Sequence, residues 1–490
     1  MQRTSADGVT VLWTSAPTPG PLTAQLSFGT GVRDETAPTM GVTRVIEALV
    51  MSTTGSRLHE FTSAVDTETT SFHAKGTPQD ITDFLHTVCA VLSELPLHRT
   101  EHTARLLGIH GARIPQHQAA EPLSARYGPH ATGLVTHHHP AMYHHITPDT
   151  VAAHAAAHFT RGNAVLALDG PPPPGLTLPL PDGPPPRRTA PPNRTPASWQ
   201  HRPVTTASLL LTSGTGDPTA DAAHHILRRR VEHTARDLRG ISDHVTTHRF
   251  IRDRLTFDRV LLLDLLDDSA ATAAEILWHE TLRLTREGPA QDELDAFTAH
   301  HRATLNRTNG HWHSLERAIT AEHFGIPHLD DRTLLERYAA ITPHDVSTHL
   351  ERALTDAVLV VPHQVFLQLR TLQATPLPNS DCWRLADQHP PTPGTHFRMH
   401  RLRRARTPRH EQGSYVLTPW GLVTRDANGD EHDIRFDQVA LLTHDGPGRI
   451  VLTGCGCDMH VHPHQVARGD RLVATLDAAV PAHLARTTTP

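Results

Sequence analysis

The side chains in this chain that could do chemistry are mostly imidazoles. Histidine occurs 41 times in 490 residues, more often than the 12 Phe, 6 Trp and 4 Tyr together. Imidazole ligates transition metals and titrates near pH 6.5, so position must decide between a metal site and background. Cys455-Gly456-Cys457, followed by His460, His462 and His464, joins soft thiolates to imidazoles, a donor set that suits zinc or copper. Strand alternation places those three histidines on one side. Cys-x-Cys is a rarer zinc spacing than Cys-x-x-Cys, and a solvated strand face needs no metal, so this cluster stands as the alternative site. His98-Arg99-Thr100-Glu101-His102 spells H-x-x-E-H, but it straddles a helix start and is a chance match in so histidine-rich a chain. His137, His138 and His139, with His144 and His145, read as a polar loop. His311-Trp312-His313-Ser314-Leu315-Glu316 follows no zinc spacing. The G-x-S-x-G, GxxxxGK[ST] and helix-opening GxGxxG patterns do not occur. Gly214-Thr215-Gly216-Asp217 is a turn before a helix and a weak phosphate cradle. Cys89 shares an apolar helix face with Phe84, Leu85, Val88, Val91 and Leu92, which makes it core rather than nucleophile.

Composition bounds what those residues can serve. Lys+Arg is 45 and Asp+Glu 51, a formal net charge of −6, which argues against a general nucleic-acid or anionic-membrane binder. Lys75 is the only lysine, and the richness in Ala, Pro and Arg reads as drift under a GC-rich coding sequence. Four cysteines are no disulfide framework and fit a reducing cytoplasm. The start, Met1-Gln2-Arg3-Thr4-Ser5-Ala6-Asp7, has no apolar core of a signal peptide, and no run approaches a membrane span. A cytoplasmic protein is expected.

Proline marks the seams between elements. The runs 171–174 and 184–186 cannot continue a helix or a central strand. Expected units are therefore 1–170, a Pro-rich linker 171–197, a second unit 198–365, a Pro/Arg-rich linker 366–409, and a third unit 410–490. The first two units match each other. Thr147-Pro148 and Thr342-Pro343 each open a helix that leads to a strand, Ala164-Val165-Leu166-Ala167-Leu168 and Ala357-Val358-Leu359-Val360-Val361. Near their starts, Thr23-Ala24-Gln25-Leu26-Ser27-Phe28 and Thr206-Ala207-Ser208-Leu209-Leu210-Leu211 also correspond, so an internal duplication is expected. Each repeat reads as helices on an antiparallel sheet, and the whole as α+β. The third unit reads as short strands with turn signals at Asn428-Gly429-Asp430 and Asp445-Gly446-Pro447-Gly448, closed by a helix near 470–479. That pattern is similar to a small pleckstrin-homology-like barrel.

The duplicated region resembles the pitrilysin/insulinase (M16) zinc peptidases, including the processing-peptidase type. The carrying stretches are Asp7-Gly8-Val9-Thr10-Val11-Leu12, Gly31-Val32-Arg33-Asp34-Glu35, Gly41-Val42-Thr43-Arg44-Val45-Ile46-Glu47-Ala48 and Phe61-Thr62-Ser63, then Leu238-Arg239-Gly240-Ile241 in the second half. The resemblance implies two α/β lobes closing around a peptide chamber. It also implies an inverted H-x-x-E-H motif, in which two histidines hold zinc and the glutamate activates water. Here those positions read Arg44-Val45-Ile46-Glu47-Ala48. Both histidines are replaced, and only the carboxylate Glu47 remains. The third ligand, a glutamate on a later helix, would fall near Gly108-Ile109-His110, which holds no carboxylate. The family's substrate-contacting Arg falls at Arg239, before Gly240, while its Tyr position holds Asp243 or His244.

The resemblance thus implies a subunit without a catalytic residue or zinc of its own. It would pair as a heterodimer with a zinc-bearing M16 homologue and help trim a peptide or precursor peptide. Two other readings stay open: a scaffold acting through the third unit, and a relocated metal at Cys455, Cys457 and His460.

Overall fold

The computed structural model describes residues 1–14, 21–54, 60–111, 119–127, 143, 145–186, 196–202, 204–265, 269–306, 310–362, 367–381, 383–384, 386, 389–408, 412–453 and 458–487. Cys455 and Cys457 lie outside them, as do 137–139 and 144.

The first lobe runs β1 (Gln2–Ala6), β2 (Val9–Trp13), β3 (Leu22–Phe28), α1 (Val42–Met51), β4 (Glu60–Val65), β5 (Thr70–Gly76), α2 (Pro78–Ser93), α3 (Thr100–Gly111), α4 (Ala120–Tyr127), α5 (Pro148–His158) and β6 (Ala164–Leu168). The second runs β7 (Ser198–Arg202), β8 (Thr206–Gly214), α6 (Pro218–Glu232), β9 (Val245–Ile251), β10 (Thr256–Asp264), α7 (Ala270–Glu287), α8 (Gln291–Leu305), α9 (Gly310–Phe324), α10 (Asp331–Ala339), α11 (Pro343–Ala353) and β11 (Val358–Pro362). The sheet orders are β1-β2-β6-β3-β5-β4 and β7-β11-β8-β10-β9. Without β1 the orders match strand for strand, including one parallel pair each, β2 with β6 and β7 with β11. The duplication is therefore a property of the fold. Its matched helix starts are built as expected: the Thr147 hydroxyl accepts from Thr150 N–H, and the Thr342 hydroxyl from Asp345 N–H.

Each sheet buries one face under its own helices. In lobe one Leu26, Phe28, Phe72 and Leu166 meet Ile46, Leu49, Leu85, Val88 and Cys89. In lobe two Leu209, Leu211, Leu261 and Leu263 meet Leu227, Leu277 and Leu350. The other faces are covered by exchange. Leu123 and Tyr127 of α4, from lobe one, pack on Leu210, Val260, Leu262 and Val360 of lobe two. Leu315, Ala318 and Ile319 of α9, from lobe two, pack on Leu12, Val165 and Ala167 of lobe one.

The Pro-rich stretches are packed as well as extended. Leu178 and Leu180 belong to the lobe-one core, and the Leu178 N–H donates to Asp7 at 2.7 Å. Leu367, Leu369 and Leu377, within the span expected as a second linker, belong to the lobe-two core. The rest of that span joins the third unit: β12 (Trp383–Arg384), β13 (Thr395–Arg398) and α12 (Arg401–Arg406) precede β14 (Ser414–Leu417), β15 (Gly421–Arg425), β16 (Glu431–Arg435), β17 (Val439–Asp445), β18 (Gly448–Thr453), β19 (Asp458–Val461), α13 (Gly469–Ala479) and β20 (Ala485–Thr487). They form two sheets, β12-β16-β15-β14-β13 and β19-β18-β17-β20. Phe397, Leu422, Ile434, Leu442, Val451 and Leu472 make their shared core with α13. This unit docks on lobe one, where Ala440, Leu441 and Leu452 bury against Val32, Met40 and Val65.

Candidate functional site

Residues 44–48, where the resemblance would place a zinc motif, sit on α1, and the local sequence explains the helix. Val42, Val45, Ile46, Leu49 and Val50 are buried at i, i+3, i+4, i+7 and i+8, one continuous apolar stripe. Gly41 precedes it with φ 86°, and a Cβ there would lie 2.7 Å from Tyr143 Cε1. Glu35 satisfies the bare helix start: its carboxylate accepts from Gly41 N–H at 2.7 Å and Thr43 N–H at 3.0 Å. Burial still pushes this carboxyl up to about 7. The Thr43 hydroxyl meets His154 Nε2 at 3.1 Å, and burial presses that imidazole down to about 3, with His158 beside it adding to the effect.

Arg44, Glu47 and Ala48 form the half-buried flank of α1 that faces β4. Arg44 Nη2 donates to the Val65 carbonyl at 3.4 Å. Glu47 accepts a short hydrogen bond from the Ser63 hydroxyl. The carboxylate in the general-base position is thus tied to the edge strand of the sheet. On the neighbouring α3, Gly108 is buried and Ile109 is 58% exposed, so no carboxylate stands where a third ligand would be needed. Zinc therefore does not fit this position. A guanidinium cannot ligate a cation, Ala48 has no donor, and the one carboxylate is engaged. The sequence pointed to none of Tyr143, Glu35 and His154 around this helix. The one available signal was the scarcity of tyrosine.

The other sequence candidates fall apart spatially. His98 lies in a 3-10 turn and His102 in α3. Both are exposed, and His102 pairs with Arg105 at 3.3 Å. Arg239 and Gly240 end a π-helical turn, His233–Leu238. Both are exposed, and Gly240 has φ 62° with open space around it. His460 lies in β19, but the strand stops at Val461 and His464 lies in a 3-10 turn, which replaces the expected single strand face. The three rings still neighbour one another in sequence, tilted, with centroids 6.2 and 5.7 Å apart. Cys89 is fully buried, and burial pushes its thiol well above the usual range.

One arrangement in lobe two has the connectivity of a serine triad. Asp217 Oδ2 lies 3.3 Å from His349 Nδ1, and His349 Nε2 lies 3.1 Å from Ser213 Oγ. Ser213 is 5% exposed, and its hydroxyl also meets His224 Nε2 at 2.8 Å. A hydroxyl enclosed by two imidazoles cannot reach a substrate carbonyl, so this network ties α6 and α11 to β8.

No family model and no curated protein matches the chain by sequence. Solved structures do match. The M16 inactive domain from Pseudomonas fluorescens is similar at 17% identity and a TM-score of 0.60, covering 75% of this chain and 98% of that one. The first half of the periplasmic protease PqqL from Escherichia coli gives 12% and 0.57, covering 74% and 91%. A chain of complex III2 from Candida albicans gives 14% and 0.59, covering 74% and 95%. Three quarters of this chain therefore has the fold of these M16-like chains.

Proposed function

We propose that the chain is a non-catalytic M16-like subunit that pairs with a zinc-bearing homologue and contributes chamber wall and peptide-binding surface to a precursor-trimming peptidase. The observation that carries this reading is an intact duplicated fold around a motif that cannot hold zinc, with Glu47 bonded to Ser63. Beside it β4 is the edge strand of its sheet, and an edge strand can pair with an extended peptide through its backbone. Arg239 is exposed and available to a substrate carboxylate or carbonyl. Zinc belongs to the partner in this reading, and the pair works in the cytoplasm without nucleic acid. No helix among the described residues is long and apolar enough to cross a membrane. We read the third unit as pleckstrin-homology-like and as a fixed part of lobe one's surface.

The test is reconstitution with a zinc-bearing M16 homologue from the same source. Each protein alone should be inactive or nearly so, and the mixture should cleave. A peptidase rate unchanged by adding this chain would overturn the reading and favour the scaffold function.

A further inference from the structure

Lobe two holds a cavity of about 520 Å³ among α6, α8, α9 and α10, a volume typical of small-molecule sites. It lies on the helix-covered side of its sheet, away from the exchanged helix α4. Its floor is the end of β9 and β10, where Arg249 and Arg259 stand directly opposite each other in the ladder. Both guanidiniums lie over the Phe257 ring, 4.5 and 5.5 Å from its centroid. Like charges placed opposite each other on a sheet are destabilising unless something answers them.

The described residues answer only part of this charge. Asp221 Oδ1 lies 3.3 Å from Arg259 Nη2, while Asp221 Oδ2 accepts from the Tyr338 hydroxyl at 3.1 Å. The Arg259 side chain is 18% exposed, and its buried Nε has no hydrogen-bond partner. The Arg249 side chain makes no hydrogen bond among the described residues. The other charged groups of the wall are taken: Arg317 by Asp331, Arg228 by Glu232 at 3.1 Å, Glu316 by His313 at 3.2 Å, and Asp217 by His349 at 3.3 Å. The wall imidazoles supply no negative charge. Burial, with His300 and His301 nearby, presses His225 down to about 4, and burial with Arg259 presses His224 well below its usual value. The rest of the wall mixes apolar side chains, including Ile326 and Leu334, with Thr247, Thr304 and Thr320.

We propose that this cavity binds a small organic anion, with its phosphate or carboxylate group held between Arg249 and Arg259 and its apolar body against Phe257 and Ile326. Paired guanidiniums match the two oxygens of either group by forked hydrogen bonds. The site is independent of the partner and of peptide cleavage, so it stands or falls separately from the proposed subunit role.

The test is calorimetric titration of the purified full chain with phenyl phosphate, benzoate and neutral benzamide. Saturable binding of phenyl phosphate alone assigns a phosphate ester, and of benzoate alone a carboxylate; either result supports the site. Arg249 is exposed, so Arg249→Ala should leave the fold intact by circular dichroism and weaken binding at least tenfold, with Arg259→Gln as the second variant. Absence of saturable binding by both anions, equal binding of benzamide, or unchanged affinity in Arg249→Ala would each overturn the proposal.

Discussion

At the scale of single residues, what matters at α1 is which donors are missing and how the remaining ones are occupied. Restoring imidazoles alone should not restore chemistry. The double variant Arg44→His/Ala48→His gains two nitrogens one helical turn apart, but positions 108–110 of α3 still hold no carboxylate, so stoichiometric zinc and peptidase activity are both expected to be absent. Metal analysis after dialysis, together with a peptide-cleavage assay, reads this directly. A second residue-scale prediction concerns acid. His154 is neutral in the folded protein, with its pKa pressed down to about 3 from 6.5. The unfolded chain therefore binds the extra proton first. The stability this neutral form supports is present above about 6.5 and is lost as pH falls from there towards 3, by up to about 1.4 kcal/mol per pH unit. His154→Gln should flatten the fall of melting temperature across that window. An unchanged slope would show that other groups set it.

At the scale of elements, the sequence exposed the repeat but not the way its halves interlock. The Thr-Pro helix starts and the strands ending each repeat were legible because capping chemistry and β-branched runs are local signals. The exchanged helices α4 and α9 were not read as elements of either repeat. α9 shows why: its buried positions face the other lobe's sheet, and the polar His311, His313 and Glu316 obscure its stripe. The site was legible as an absence, because Arg44 and Ala48 can be read against a motif. The Arg249–Arg259 floor was not, because it depends on strand register. Leu315 is fully buried where α9 meets lobe one, so Leu315→Ala should cost about 2–5 kcal/mol in chemical denaturation. Gly41→Ala should cost roughly 1–3 kcal/mol, because a methyl there meets Tyr143 and an L-residue is strained at φ 86°.

At the scale of the whole molecule, the third unit works as a structural part of lobe one. Val32 and Met40 flank the turn leading to α1 and are buried by Ala440, Leu441 and Leu452. Ending the chain before 383 should uncover that patch, lower the melting temperature and raise binding of an apolar dye. A truncated chain as stable as the full one would show the contact to be incidental. Arg33 adds a tie between lobes, donating to the Ile251 and Arg252 carbonyls, while Glu68 accepts from Ile251 N–H at 2.8 Å. The reciprocal cover by α4 and α9 bears on how the gene could be divided. Each half made alone would leave one sheet face bare, so neither should accumulate as soluble protein. The two halves made together from separate transcripts, split within 187–195, should find each other and form the native molecule from two pieces.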